Sequence, residues 1–379
     1  MHSFYDGFLS ASDVSEVFSE RTFLQALLRF EAALARAQAS AGLIPEAAAQ
    51  SIVGTCRIEL FDVAKIVRDS ARAGSMVTPL VKSLKEAVGL FNPEAAGFVH
   101  LDSTGQDAVD TALALVTRHA LGLIDADVRQ AVAALMALAG RHAADPVLER
   151  SLQQHATATS FGLLCAAWAA QLVRSLQRLQ ASSGQALCLQ WSGGAGALAA
   201  MKGRAPDVMA LMAADLQLKA PLPGGPAQRD EWVALGCALG LLVGSLGQVA
   251  KEIALMSQPA VGELCDAPAA APGRTAFACM TALSASGRAP LRVAALLAAM
   301  PHAHERALGH WQAELAEWPE LLVSVHASAR AMSGALVGME ADTQRMRANL
   351  DPLGAQWSPE LAGQAAQLTR DQVAALTAP

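Results

Sequence analysis

The chain has 379 residues, enough for two or three domains, and its 53% hydrophobic against 16% charged residues supply ample apolar surface for a large core. Aromatic residues make up only 4%, while Ala and Leu dominate; these lose little rotamer freedom in a helix, which favours an all-α fold over any β class. A net charge of −6 with no basic run and no basic–aromatic interleaving argues against nucleic-acid binding, although a local cluster of Arg, Lys and helix N-termini can still hold an anion.

The N-terminus reads MHSFYDGFLSASD, without the basic start and unbroken apolar run of a signal peptide. Helical text follows from Phe18 to Ala41, with Phe23, Leu27, Phe30 and Leu34 on one face. Residues 1–95 are expected to form an N-terminal helical domain, closed by the Asn92-Pro93 break. Residues 96–340 hold five long helical stretches, near 105–140, 154–182, 228–257, 274–300 and 302–338, separated in part by turns such as Ser192-Gly193-Gly194 and Pro221 to Pro226. Five long apolar helices imply a central bundle. Residues 341–379 are expected to add a short C-terminal segment of two or three small helices.

Trp232 to Ala250 is free of charge, and Gly236, Gly240 and Gly244 give a small-xxx-small spacing, so this stretch needs a membrane check. Trp232, Leu235, Leu239, Leu242, Leu246, Val249, Ile253 and Met256 repeat at alternating 3–4 spacing, the seam of a buried bundle helix. As a single span it is read as core, with no membrane partner, and the glycines as points of close helix approach. The six cysteines contain no CxxC pair and read as reduced thiols of a cytoplasmic protein.

Four segments could carry chemistry. In His100-Leu-Asp-Ser-Thr-Gly-Gln-Asp107, Ser103 with Gln106 fits a capping box, so a helix starts there and presents free N–H groups and a positive dipole end. His100, Thr104 and Gln106 add side-chain donors; the plainer reading is a capped helix with a stray histidine. The polar run Arg150-Ser-Leu-Gln-Gln-His155 precedes another long helix, and Arg150, Ser151, Gln154 and His155 could hydrogen-bond a carboxylate, or simply form a solvated loop. Gln228-Arg229-Asp230 opens the seam helix, where Arg229 in solvent and Asp230 on the dipole would be ordinary decoration. His302 and His304, two apart, cannot share a helix face and make a poor metal pair; no metal spacing is present.

Taken in order, these segments resemble the fumarase/aspartase superfamily, and within it the bacterial 3-carboxy-cis,cis-muconate cycloisomerases. The family pattern HxGxTSQDxxDT is matched by His100 to Thr111, and GRTxxQxAxPxTFG by Glu149 to Gly162. Similar text continues in Glu31-Ala-Ala-Leu-Ala35, Gly74 to Lys82, Leu189 to Gly196, Gln228-Arg-Asp230, Val261-Gly-Glu263, His304 to Gly309 and Met346 to Asp351. The resemblance implies three helical domains around a long bundle, and a homotetramer whose active sites draw on three subunits. It implies a cofactor-free addition of one carboxylate of a small tricarboxylate substrate across a double bond, giving a lactone. It gives catalytic positions at His155, Ser151 and Thr104, and substrate-binding positions at His100, Gln106, Arg150, Gln154 and Arg229.

The sequence departs from the family at several points. The superfamily's GSSxMPxKxNP loop, which carries a serine base with a lysine and an asparagine for the substrate, is replaced by Ala271 to Met280, a deletion of roughly ten residues that a loop can absorb. Thr275, Ser284 and Ser286 are weak substitutes. Asp102 and Gly105 stand where the first motif has Gly and Ser, and an added carboxylate at Asp102 would repel an anion. Ala158 stands for Pro, Gly225-Pro226 for Trp-His and Ala260 for Glu. Two readings stay open: a working cycloisomerase with a divergent third region, or a catalytically impaired paralogue serving as a binding or structural subunit. An argininosuccinate- or adenylosuccinate-type lyase would still need the missing loop.

Overall fold

The computed structural model describes residues 9, 12–152, 154–192, 201–220, 227–268, 271, 273–304, 308–351 and 357–377. The expected turn at Pro221 to Pro226, the glycines after Ser192, and Glu305 with Arg306 lie outside the described residues. The fold is all-α, with two small two-stranded antiparallel sheets among the described residues.

α1 (Ser12–Val17), α2 (Glu20–Ser40), α3 (Glu46–Thr55), α4 (Val63–Ala73) and α5 (Thr78–Phe91) form the N-terminal layer. α2 begins two residues later than Phe18, because Ser19 caps it by accepting from the Thr22 N–H. Its Leu27, Phe30 and Leu34 are buried, and the helix packs on α3 and on the bundle.

The bundle consists of α6 (Gly105–Arg141), α7 (Phe161–Ala186), α9 (Asp230–Met256), α10 (Arg274–Ala299) and α11 (His310–Val337); α8 (Ala205–Leu216) packs outside it on α2. Two helix starts differ from expectation. Residues 154–160 are extended: Thr157 and Thr159, whose branched side chains lose freedom in a helix, alternate with alanines. β2 (Gln154–Ser160) pairs antiparallel with β1 (Pro146–Ser151), and α7 starts only where Ser160 accepts from the Leu163 N–H. α11 starts at His310 rather than at 302, with Gln312 Oε1 accepting from the Gly309 N–H.

The seam residues of α9 are all buried within the one chain, against α7, α10 and α11. This matches the reading of the stretch as a buried bundle helix. α9 is long and apolar enough to cross a membrane, but most of it is buried in the bundle. Any side chain at Gly236 or Gly240 would press on Leu296 or Val293 of α10, so these two glycines set the α9–α10 approach; Gly244 has open space, and Gly247, against Ser286, is the third close point. Gly162 lies where α7 leaves the end of α6, and a Cβ there would come within 2.5 Å of the Ala139 carbonyl oxygen. β3 (Leu264–Asp266) pairs with β4 (Met339–Ala341). Two C-terminal helices follow, α12 (Thr343–Leu350) and α13 (Pro359–Thr377); the second is not small, since it runs along α7 and α6.

Between α6 and α11, His326 is fully buried, with Nε2 3.2 Å from Asp127 Oδ2 but not aligned for a hydrogen bond. Burial outweighs the Asp127 charge and lowers the His326 pKa from 6.5. A histidine with a depressed folded pKa takes its proton preferentially in the unfolded chain. Its contribution to stability is therefore present above 6.5 and is lost as pH falls toward the folded value, at about 1.4 kcal/mol per unit of depression. His326→Gln is expected to flatten this acid limb in urea unfolding; an unchanged slope below neutrality would count against it. Asp127, raised by burial from 3.8, loses the opposing charge of His326 in the variant and is raised further, while His302, lowered by burial, keeps its own contribution.

Candidate active site

The chain enters α6 through two residues in left-handed conformation, His100 (φ 60°) and Asp102 (φ 52°). That explains the glycine of the related motif at position 102: glycine enters this region freely, and Asp is among the few residues that tolerate it. The capping box lies one residue later than Ser103 with Gln106. Thr104 Oγ1 accepts from the Asp107 N–H at 3.3 Å, and Asp107 Oδ2 accepts from the Thr104 N–H at 3.0 Å. The Asp107 carboxylate is the stronger acceptor for that orphan N–H. The Gln106 amide turns instead to Asp110 at 3.4 Å, and Ser103 Oγ is buried without a partner among the described residues.

The acidic and hydroxyl residues of this segment hold other parts of the chain in place. Asp107 Oδ1 accepts from the Ser192 N–H and Oγ at 3.0 and 3.1 Å. Thr111 Oγ1 donates to the Gln190 carbonyl at 2.9 Å and accepts from the Gln190 N–H at 3.0 Å. Asp110 accepts from Arg229 Nη1 at 3.0 Å and from Trp311 Nε1 at 2.9 Å. Arg229 also grips Glu314, its Nε donating to Oε2 at 3.0 Å and its Nη2 to Oε1. The guanidinium is 5% exposed. Burial alone would lower its pKa, but the two carboxylates outweigh that and raise it. Arg229 is thus neither solvent decoration nor an open hand for a substrate; it ties α9, α6 and α11 together.

Beside this knot lies a cavity of about 310 Å³, between the start of α6, the 70–77 turn and the start of α11, lined in part by Ser75, Gly105, Gln106 and Trp311. The first-turn N–H groups of Gly105 and Gln106 have no intrahelical partner, so the cavity wall carries the positive end of a helix of 37 residues. A side chain at Gly105 would meet Val77 and Ser75 only at ordinary contact distances of 3.7 and 3.9 Å, so glycine here widens the cavity without being demanded by packing. Just before it, His100 Nδ1 is 2.6 Å from Glu31 Oε1.

The second polar segment is a hairpin. Ser151 pairs with Gln154 and Arg150 with His155 across β1 and β2, and Ser151, Gln154 and His155 are exposed at its tip. Arg150 is bidentate on buried Glu263, Nη2 to Oε1 at 2.7 Å and Nη1 to Oε2 at 3.0 Å, and Asn349 of α12 donates to the same Oε1 at 2.8 Å. Arg150 therefore anchors the hairpin. β3 is followed, after 267–273, by α10, and those seven residues contain no Ser, Lys or Asn. Thr275 is spent on Asp266, to which its N–H and Oγ1 both donate.

The structure gathers His100, Thr104, Gln106 and Arg229 at one end of the bundle and Arg150, Ser151, Gln154 and His155 at the other. Between the two runs α6, whose 37 residues at 1.5 Å each span about 55 Å. Glu31 and Glu263 stand in segments that carry the resemblance but were given no role, and Glu314 and Trp311 were not singled out. Their signal was weak, being single acidic or aromatic residues in mostly apolar text, and their partners lie 69 to 201 positions away.

A family model described as lyase matches residues 9–273. The chain is 38% identical, over 355 residues, to a 3-carboxy-cis,cis-muconate cycloisomerase of Pseudomonas putida, covering 92% of this chain and 84% of that one. It is 39% identical to a Pseudomonas aeruginosa protein of the same name, covering 91% and 77%. The crystal structure of the 3-carboxy-cis,cis-muconate lactonizing enzyme from Pseudomonas putida superposes with a TM-score of 0.88 at 36% identity, over 99% of this chain and 88% of that one. With this fold, these ordered segments and relatives at such identity over nine-tenths of its length, the chain belongs to the lyase family of the fumarase/aspartase superfamily.

Proposed function

We propose that the protein is a 3-carboxy-cis,cis-muconate cycloisomerase, adding one carboxylate of the tricarboxylic diene across a double bond to give 4-carboxymuconolactone in protocatechuate (β-ketoadipate) degradation. The carrying observation is the cavity at the start of α6, where the N–H groups of Gly105 and Gln106 have no intrahelical partner and the acids of the same helix start, Asp107 and Asp110, are both spent on donors. Such a wall favours a carboxylate, and it becomes more favourable as negative charge builds on that group when the neighbouring carbon turns carbanion-like.

In the reaction a carboxylate oxygen forms the new C–O bond, the displaced π pair moves to the adjacent carbon, and a proton completes the C–H bond; no atom leaves. His155, exposed in the hairpin and without a side-chain hydrogen bond among the described residues, is the proton donor in this reading, with Ser151 and Gln154 beside it and Thr104 shaping the helix terminus. Because the two groups of residues lie about 55 Å apart along α6, the site forms between copies of the chain. A homotetramer is supported by the apolar residues left exposed on α10, including Phe277, Met280, Leu291 and Leu297. The unpaired cysteines and the burial of α9 support a soluble, cytoplasmic enzyme.

An impaired paralogue is the lesser reading, since only the serine-free 267–273 connection favours it. The test is the loss of ultraviolet absorbance of 3-carboxy-cis,cis-muconate on incubation with purified protein. Steady turnover is expected; none at high enzyme concentration would overturn the assignment.

A further inference from the structure

Glu31 on α2 is 2% exposed, and the mechanism above makes no use of it. Its Oε1 meets His100 Nδ1 at 2.6 Å, while its Oε2 is buried without a hydrogen-bond partner among the described residues. A carboxylate withdrawn from water needs a cation or a donor to remain charged, and His100, in the turn before α6, is the group that meets it. Two turns further along the same helix, buried Gln38 donates its Nε2 to the Leu101 carbonyl at 3.0 Å. α2 thus holds both the ring and the backbone of the turn that leads into α6. That turn carries His100 at a φ of 60°, a left-handed conformation uncommon outside glycine, so the ring leaves the backbone at a point the turn itself fixes.

We propose that Glu31 is a positioning residue of the active site: it fixes His100 through Nδ1–H and presents Nε2–H as the cationic donor to one substrate carboxylate. The proposal deepens the functional reading above and rests on it. The related loop brings a lysine to the substrate; 267–273 brings none, and the His100 imidazolium supplies that charge. The charged groups around the ring fit. Burial is the largest single influence and opposes protonation, as does Lys85, but Glu31 and Asp107 together outweigh them and raise the His100 pKa from 6.5.

The experiment combines kinetics on 3-carboxy-cis,cis-muconate across neutral pH with an NMR titration of the His100 ring, in wild type, Glu31→Gln, Glu31→Asp and His100→Gln. Losing one charge-assisted hydrogen bond is expected to raise KM roughly ten- to a hundredfold in Glu31→Gln, with a smaller change in kcat. The alkaline rise of KM and the His100 titration midpoint should both move to lower pH, and Glu31→Asp should recover part of each. A purely structural role would lower thermal stability and leave the midpoint and the alkaline limb in place, which would overturn the proposal. If Glu31→Gln does not fold, Glu31→Asp decides by the same two readouts. Absence of turnover in the wild type would instead sink the functional reading. The titration midpoints, with calorimetric binding of tricarballylate, would still decide the role of Glu31.

Discussion

Replacing Arg229 with alanine is expected to destabilise the protein by about 3–5 kcal/mol, the scale for breaking a buried ion pair from one side. The variant leaves Asp110 and Glu314 buried near one another with no counter-charge, since Arg229 is the cation that both contact. Trp311 and Gln106 still donate to Asp110, but neither carries charge. Lysine should not rescue the loss, because one ammonium cannot reproduce the fork that spans both Glu314 oxygens and Asp110. The deficit has a pH signature. Unpaired buried carboxylates have folded pKa values above their unfolded ones, so the protonated, less costly form prevails at low pH, and stability is lost as pH rises through the folded values. Urea midpoints at fixed protein concentration should therefore show the variant furthest below wild type at neutral pH and nearer to it in mild acid. A loss under 1 kcal/mol, or one independent of pH, would refute the view of Arg229 as the keystone of this end of the bundle.

Arg229 also marks how far the sequence could be read. The long helices were legible because apolar residues recur at helical spacing from Gly105 to Arg141 and from Asp230 to Met256, and period alone sets which face is buried. The start of α6 was legible to within one residue, since Ser103, Thr104, Gln106 and Asp107 all suit a cap and only the competition for one N–H chooses among them. The β1–β2 hairpin was not legible. Residues 154–160 are short and weakly apolar, and their extended state comes from pairing with a second segment. The roles of the polar residues were half visible. A lone Arg229 or Arg150 looks the same in a sequence whether it reaches for a substrate or for Glu314 or Glu263, because the choice is made by a carboxylate 85 or 113 residues away. Asp102 reads as an intruding charge until its φ of 52° shows that the position selects for backbone conformation. Only the resemblance assigns the two helix ends to one site, and periodicity is silent on that grouping.

His155→Ala is expected to lower kcat by roughly a hundredfold to ten-thousandfold, the range for removing a general acid, with a smaller change in KM. The side chain is exposed on the hairpin and supports nothing in its own chain that the structure describes, so the fold should be unaffected. His100→Gln should also depress turnover, through binding, at the far end of α6. If each site joins the hairpin of one copy to the α6 terminus of another, the two variants carry complementary lesions. Hybrids assembled by co-expression, or by mild dissociation and remixing, will contain some sites in which both contributing segments are wild type. Those hybrids should regain activity that neither parent has, while mixtures of His155→Ala with Arg150→Ala, both altered in the same segment, should not. Subunit exchange confirmed by mass spectrometry with no recovery in the first mixture would place both segments in one working unit. The separation of about 55 Å along α6 would then have to be closed by a rearrangement of the bundle itself. Recovery in the second mixture would show that His155 and Arg150 serve different sites, against the geometry that pairs them across β1 and β2.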